Sequence, residues 1–504
     1  MVPRDRFLLR VVAALTLVQL VVLSLSSAQL KTITILHTND IHASFVPHEA
    51  FWIRDTPKPM VGGFRELEFI VDSIRKVKPA TLLLDAGDVM TGNPITDMPY
   101  AGAEGGTLFE MMNRVGYDAW CIGNHDFDIS QENLVGLTKI AKFPTLSANI
   151  VNDKSEFPVN NSPYAVIERG GLRIGIIGLM TQGLYNLVNQ NNLVGIRVLS
   201  PVETARKLID KLDAETDLLI AVTHQGVEDD SILAEGTTGL DVIVGGHSHT
   251  RLRKPRLING VVIVQAGSNC ENLGELELTV EDDQVTHYDG KLVQLWAGKD
   301  RPATPLSQFI DSIQGKIDEE YSEVIATLKQ DWTRKDEESG IGNFITDAQR
   351  EAAGAQVAFT NNRGIRRNVS AGPLTKRDLF EVLPFRNVLT TFQLSGKQLR
   401  DVVAYYIEGR AYIQTSGIAC EWKQAPGGKQ DIVSLKIGGK PIEDEKMYVC
   451  AASDYFVGEA KRYIGVEIET PVFLKQTMFD AVERAARTAK VISSHIEHRI
   501  KQVE

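Results

Sequence analysis

The sequence predicts an α/β fold in at least two domains, and three observations carry that prediction. Between residues 31 and about 280, short apolar runs alternate with helical patterns. Five of those runs end in polar, chemically capable residues, as expected where ligands bind at the carboxyl ends of strands. The chain has 504 residues, more than one hydrophobic core usually supports.

The apolar runs are TITILHT, TLLLDAG, DAWCIGN, LRIGIIGL, DLLIAVTH and DVIVGGH. Each is short and rich in Leu, Ile and Val, as buried strands are. Between two of them, SPVETARKLIDKLDAE reads as a helix, with Ser200 as N-cap, Pro201 in the first turn and Ala205, Leu208, Ile209 and Leu212 as its apolar stripe. Strands alternating with helices give a layered α/β domain, placed at 29–300. Residues 301–330 read as a connecting helix with Phe309, Ile310, Ile313 and Ile317 on its buried face. A second mixed domain follows at 331–504, with helical IGNFITDAQREAAG and strands VLTTFQL, IVSLKIGG and KMYVCAA.

Composition narrows the class. With 43% apolar and 24% charged residues the chain is that of a folded soluble protein. A net charge of −11 argues against nucleic acid as a partner. Residues 1–28 have the layout of a secretory signal: three arginines, an apolar run short for a membrane span, then small residues before an expected cut after Ala28. The mature chain is therefore expected to be exported, periplasmic or secreted, without a membrane anchor. Four cysteines are no disulfide framework, and without a CxxC there is no zinc ribbon. Cys121 reads as a small core residue, and pairing of Cys420 with Cys450 is open.

Six of the ten histidines fall in the strand-end motifs: His37, His42, His125, His224, His247 and His249. Asp40, Asp88, Asn124 and Asp128 accompany them. Mixed imidazole and carboxylate donors suit zinc, manganese or iron rather than calcium or magnesium. Asp40-Ile41-His42 and His247-Ser248-His249 are each read as an extended segment sending two ligands to one side. Asp88 is placed to bridge, with Asn124 and His224 adding an amide oxygen and an imidazole. Seven ligands are too many for one ion and suit two divalent ions, which in such sites sit about 3.5–4 Å apart and clamp an in-line displacement. Singly each motif is weak; a DxH pair is more often a solvated turn. In GNHDFD, His125 is left to meet the substrate, with Asp128 fixing its tautomer and favouring the imidazolium. Asp128 could equally be a helix N-cap.

These motifs resemble those of the secreted 5′-nucleotidase family, which includes UDP-sugar hydrolases and 2′,3′-cyclic-nucleotide phosphodiesterases. ILHTNDIH (35–42), GGFREL (62–67), DAGD (85–88), GNHDFD (123–128), THQG (223–226) and GGHSHT (245–250) carry the resemblance. It implies a four-layer αββα metallophosphatase domain joined by a helix to a smaller α/β nucleotide-binding domain. It also implies Asp40, His42, Asp88 and His249 on one metal, Asp88, Asn124, His224 and His247 on the other, and His125 with Asp128 as the catalytic dyad. In the second domain, NNRGIRRN resembles the family's Asn-x-x-Gly-Ile-Arg stretch and implies Asn361 and Arg366 at the substrate. LPFRN and SDYF imply Phe385 and Tyr455 as a base-stacking pair.

Two departures stand out. Where family members carry phosphate-binding arginines before GIGNFITDA, only Arg334 or Lys335 could serve. The family's Gly-Gly-Asp-Gly, whose aspartate holds the ribose hydroxyls, is replaced by Phe456-Val457-Gly458-Glu459-Ala460-Lys461. The expected function is removal of the 5′-phosphate from nucleoside monophosphates. The alternatives are a cyclic phosphodiesterase or nucleotide-sugar pyrophosphatase on the same centre, or a non-catalytic binding protein.

Overall fold

The computed structural model describes residues 30–503, apart from 56, 425, 426 and 429. The expected export signal at 1–28 lies outside the described residues.

Two six-stranded sheets face each other in the N-terminal half. The first runs in the order Gln284–Gln294, Asn272–Glu281, Lys31–Thr38, Thr81–Asp85, Ala119–Cys121, Thr145–Leu146. The second runs Tyr164–Arg169, Leu172–Met180, Leu218–His224, Val242–Gly245, Val261–Val264, Arg256–Ile258. Their central strands are parallel, so the strand-end motifs emerge at one edge. Alternation along each strand decides what packs where. Ile33, Ile35, Leu82 and Leu84 meet Ile174, Ile176, Ile220 and Val244 between the sheets. Leu36, Leu83 and Trp120 face outward under the helices Phe64–Val77, Gly106–Val115 and Gln131–Ile140. Pro201–Leu212 and Val227–Gly236 cover the other sheet. The result is the four-layer αββα arrangement.

The expected helix over 301–330 is shorter. It spans Pro305–Tyr321, opened by a Thr304–Ser307 capping box, and buries Leu306, Ile310, Ile313 and Ile317 against the N-terminal core. Val324–Leu328 is instead a strand, pairing with Gly372–Thr375 and Val491–Ile492. The β-branched Val324, Ile325 and Thr327 suit a pleated strand better than a continued helix.

Beyond it, a five-stranded sheet orders Ile413–Ser416, Val357–Asn361, Met447–Ser453, Val388–Ser395 and Val472–Thr477. Helix Gly340–Ala352 packs on it. All four cysteines are buried free thiols, so the open Cys420–Cys450 pairing is not made; the two sit on strands of different sheets. Among the described residues no helix is long and apolar enough to cross a membrane.

Candidate active site

Past the ends of Lys31–Thr38 and Thr81–Asp85 the two chains stay tied together. Asp40 N donates to Gly87 O (2.8 Å), His42 N to Asp88 O (2.9 Å) and Ala43 N to Val89 O (2.8 Å). The backbone there is not extended. Asp40, His42 and Asp88 have φ of 51°, 47° and 58°, and His247 and His249 have 76° and 55°. The reading of Asp-x-His and His-x-His as extended segments is thus corrected: left-handed residues, rather than the two-residue alternation of a strand, turn both side chains inward. Non-glycine residues rarely adopt this conformation, and such strain persists only where surrounding contacts enforce it. A Cβ on Gly123 would collide with Asp88, which explains the glycine at that crossing.

Two clusters form in which the ligating atoms lie within 4.8 Å of one another: Asp40, His42 and His249, and Asp88, His224 and His247. In the first, His249 Nε2 is 3.1 Å from both Asp40 Oδ1 and His42 Nε2. In the second, His224 Nε2 is 3.2 Å from Asp88 Oδ2 and 3.2 Å from Asn124 Oδ1. Asp88 Oδ2 also lies 3.9 Å from His42 Nε2, between the clusters. Asp40 Oδ1 is buried and, although His249 Nε2 lies 3.1 Å away, accepts no well-aligned hydrogen bond, an expensive omission unless a cation completes it. The residues therefore fit two divalent ions. Burial opposes ionisation of Asp40 and Asp88, but His249 and His224 respectively outweigh it and hold both carboxyls below the usual range. Burial likewise opposes charging of His224, yet Asp88 lifts its pKa to about 10. Burial and the His224 charge push His247 down to about 4.

His125 stands beside these clusters. Its Nδ1 is 2.8 Å from Asp128 Oδ2, and its backbone N–H donates to Asp88 Oδ1 at 2.7 Å. Burial disfavours the imidazolium, but Asp128 and Asp88 outweigh that and raise its pKa. Asp128 is not the helix N-cap; Ser130 is, accepting from Asn133 N at 3.1 Å.

Sequence reasoning missed Asp126. Its Oδ1 accepts from Val89 N (3.0 Å) and Met90 N (3.1 Å), and its Oδ2 from Asp88 N (3.1 Å) and Gly123 N (2.7 Å). This one carboxylate pins the loop that presents Asp88. Only its place in GNHDFD could have hinted at the role.

A cleft of about 590 Å³ opens over His125. Arg366 Nη2 donates to His42 Nε2 at 3.0 Å, and its guanidinium lies 5.7 Å from the Phe385 ring centre. Loss of water opposes the Arg366 charge and lowers its pKa despite the nearby Asp88, Asp128 and Asp40. Arg334 donates to Arg366 O at 2.8 Å. Loss of water and then the Arg366 charge bring the Arg334 pKa down to about 10. Lys335 is not among the residues lining the cleft. Asn361 is buried on the wall beside Gly364, where a Cβ would come within 2.9 Å of its Oδ1. Phe385 lies against the His125 ring, centroids 5.5 Å apart and planes at 33°. Tyr455 also lines the cleft, its hydroxyl donating to Asn186 O at 3.1 Å. Arg363 and Arg462 line it as well and were not expected. Lys461, near the register of the missing ribose aspartate, instead pairs with Glu467 at 2.6 Å.

Residues 33–251 match the calcineurin-like phosphoesterase family, and residues 324–465 match the 5′-nucleotidase C-terminal domain. The chain thus joins a calcineurin-like phosphoesterase domain to a 5′-nucleotidase C-terminal domain. It is 28% identical to protein UshA of Yersinia enterocolitica and 29% identical to a 5′-nucleotidase of Vibrio vulnificus, each match covering 84% of both chains. A solved 5′-nucleotidase precursor from Thermus thermophilus superposes with a TM-score of 0.80 at 27% identity, covering 94% of this chain and 99% of that one. The sulfate thiohydrolase SoxB of the same organism shares the fold, with a TM-score of 0.78 at 17% identity over 94% and 96% of the two chains. The phosphoesterase domain makes the chain a hydrolase.

Proposed function

We propose that this chain is an exported phosphohydrolase that removes the 5′-phosphate from nucleoside monophosphates at a site for two divalent ions. The observation that carries the reading is the pair of ligand clusters set either side of the Asp88 carboxylate, next to the His125–Asp128 pair. Asp40, His42, Asp88 and His249 would hold one ion, and Asp88, Asn124, His224 and His247 the other. When bound, the ions would supply Lewis-acid charge and an acidified water.

The chain's own groups do the rest. Arg366 and Arg334 offer fixed positive charge to the phosphoryl oxygens, and Asn361 adds an amide. Asp128 and Asp88 favour the protonated His125 ring against its burial, so Nε2 can stabilise charge on the leaving oxygen and pass it a proton. Asp128 holds the Nδ1 proton and fixes the ring. Phe385 and Tyr455 offer flat faces to a base, and by covering the ring Phe385 also limits water at His125. The proposed domains are 29–300 for the metal site and 331–504 for the substrate.

A second reading keeps the centre and changes the ester. Lys461 is engaged with Glu467, and Asp454 turns one carboxylate oxygen to the amides of Val388 and Tyr455, which leaves ribose recognition without its usual acid. Relative kcat/KM for AMP, UDP-glucose, 2′,3′-cyclic AMP and p-nitrophenyl phosphate separates the readings. Turnover that survives both chelation and His125→Ala would defeat them together. N-terminal sequencing of protein recovered outside the cytoplasm tests export.

A further inference from the structure

The hydroxyl of Thr91 donates to Asp128 Oδ2 at 2.6 Å, the same oxygen that faces His125 Nδ1. Thr91 is buried and has φ 69°, a conformation its β-branched side chain disfavours. The next residue is Gly92, where a Cβ would collide with His42 O. Asn93 follows, its Oδ1 accepting from Ile95 N at 3.1 Å to cap a short turn. Its Nδ2 reaches across to the C-terminal domain and donates to buried Glu381 Oε1 at 2.5 Å. Glu381 is paired on its other side with Arg367, the neighbour of Arg366. Four residues on, Phe385 lies on the His125 ring, and Arg386 holds Asp97 at 2.8 Å and Glu104 at 2.6 Å. Residues 91–97 and 381–386 thus interlock, and the strained end of that lock holds the oxygen that orients the imidazole.

We propose that Thr91 is a positioning residue for the His125–Asp128 pair, and that the Asn93–Glu381 hydrogen bond makes this positioning depend on the C-terminal domain. A carboxylate oxygen receiving two donors cannot swing away without abandoning both. Without the Thr91 hydroxyl, Asp128, which is only partly buried, is free to turn toward solvent and leave Nδ1 unpaired. Asn93 sets the height of Thr91 because a single glycine separates them, and Glu381 is the far anchor of Asn93. Glu381 touches no substrate in this arrangement; it acts through the loop.

The inference rests on the proposed role of His125, so its test carries one readout that needs no turnover. In metal-free protein with 15N-labelled histidine, the hydrogen-bonded Nδ1 proton of His125 gives a downfield signal. That signal should be shifted or lost in Thr91→Val, which keeps the shape without the hydroxyl, and kept in Thr91→Ser. In the assay, Thr91→Val should lower kcat about 10–100-fold with KM changed less than about twofold, while Thr91→Ser restores most of it. Asn93→Asp keeps the capping oxygen but sets a carboxylate against Glu381, and should lower kcat. Adding Glu381→Gln reverses donor and acceptor at constant net charge, and should recover at least about half of what was lost. Thermal midpoints identify any variant that has simply unfolded. An unshifted Nδ1 signal in folded Thr91→Val would overturn the positioning role. A double variant no better than Asn93→Asp would overturn the link to the C-terminal domain. A parent protein inert toward every phosphoester would instead defeat the proposed function, with the Nδ1 result still standing.

Discussion

Asp126→Asn removes one carboxylate oxygen and nothing of the shape. The two Asp126 oxygens share four backbone donors, two each. An amide keeps one oxygen, so two of the four N–H groups come to face an NH2 at a side chain buried from solvent. Each buried donor left unmet costs about 1–3 kcal/mol, giving about 2–6 kcal/mol in total. For a domain of this size each kcal/mol moves the midpoint by about 2–4 °C, so the N-terminal transition should fall by about 4–24 °C. Scanning calorimetry of the metal-free protein at pH 7 measures this without any assumption about substrate. A midpoint within about 2 °C of the parent would refute the argument, because it would mean that the Asp88 loop does not depend on those bonds.

Burial raises the Asp230 pKa from 3.8 to about 7, and its Oδ2 has no hydrogen-bond partner. The folded chain therefore holds that proton more tightly than the unfolded chain, and the contribution is full below pH 4 and lost as pH rises through 7. The three-unit shift corresponds to at most about 4 kcal/mol, and Asp230→Asn should flatten the dependence and exceed the parent in urea resistance at pH 8. Zinc or manganese at a hundredfold excess over Kd should add about 2.7 kcal/mol per bound ion to the N-terminal domain, and chelation should remove it. Metal analysis should find two ions in the parent and fewer in Asp88→Asn. Arg366→Lys loses a planar donor pair worth about 1.5–3 kcal/mol against a charged group, so KM for AMP should rise about 10–100-fold with metal content unchanged.

The sheet strands are legible because Leu, Ile and Val runs of strand length leave little alternative, and the polar residues at their ends are legible because they interrupt those runs. The clusters of Asp40, His42 and His249 and of Asp88, His224 and His247 follow from that parallel geometry. What a sequence reading misses depends on backbone. Residue types do not announce a left-handed aspartate or histidine, so the Asp-x-His pair reads as the wrong local conformation. Asp126 meets only main-chain N–H groups, which every sequence contains. Thr91 and Asn93 act through partners 37 and 288 positions away, a distance no local pattern spans. The helix expected over 301–330 is too long because Ile325 continues the apolar spacing of the helix while Val324 and Thr327 belong to a strand.

The left-handed backbone around the cleft has a practical consequence for anyone redesigning its preference. Positions 40, 42, 43, 88, 91 and 92 accept few replacements whatever chemistry is wanted, because most side chains would first have to unbend the main chain. Leu187, Asn189 and Asn387 border the same opening on ordinary backbone. A mutant library confined to those three would sample new leaving groups while the machinery beneath stayed assembled.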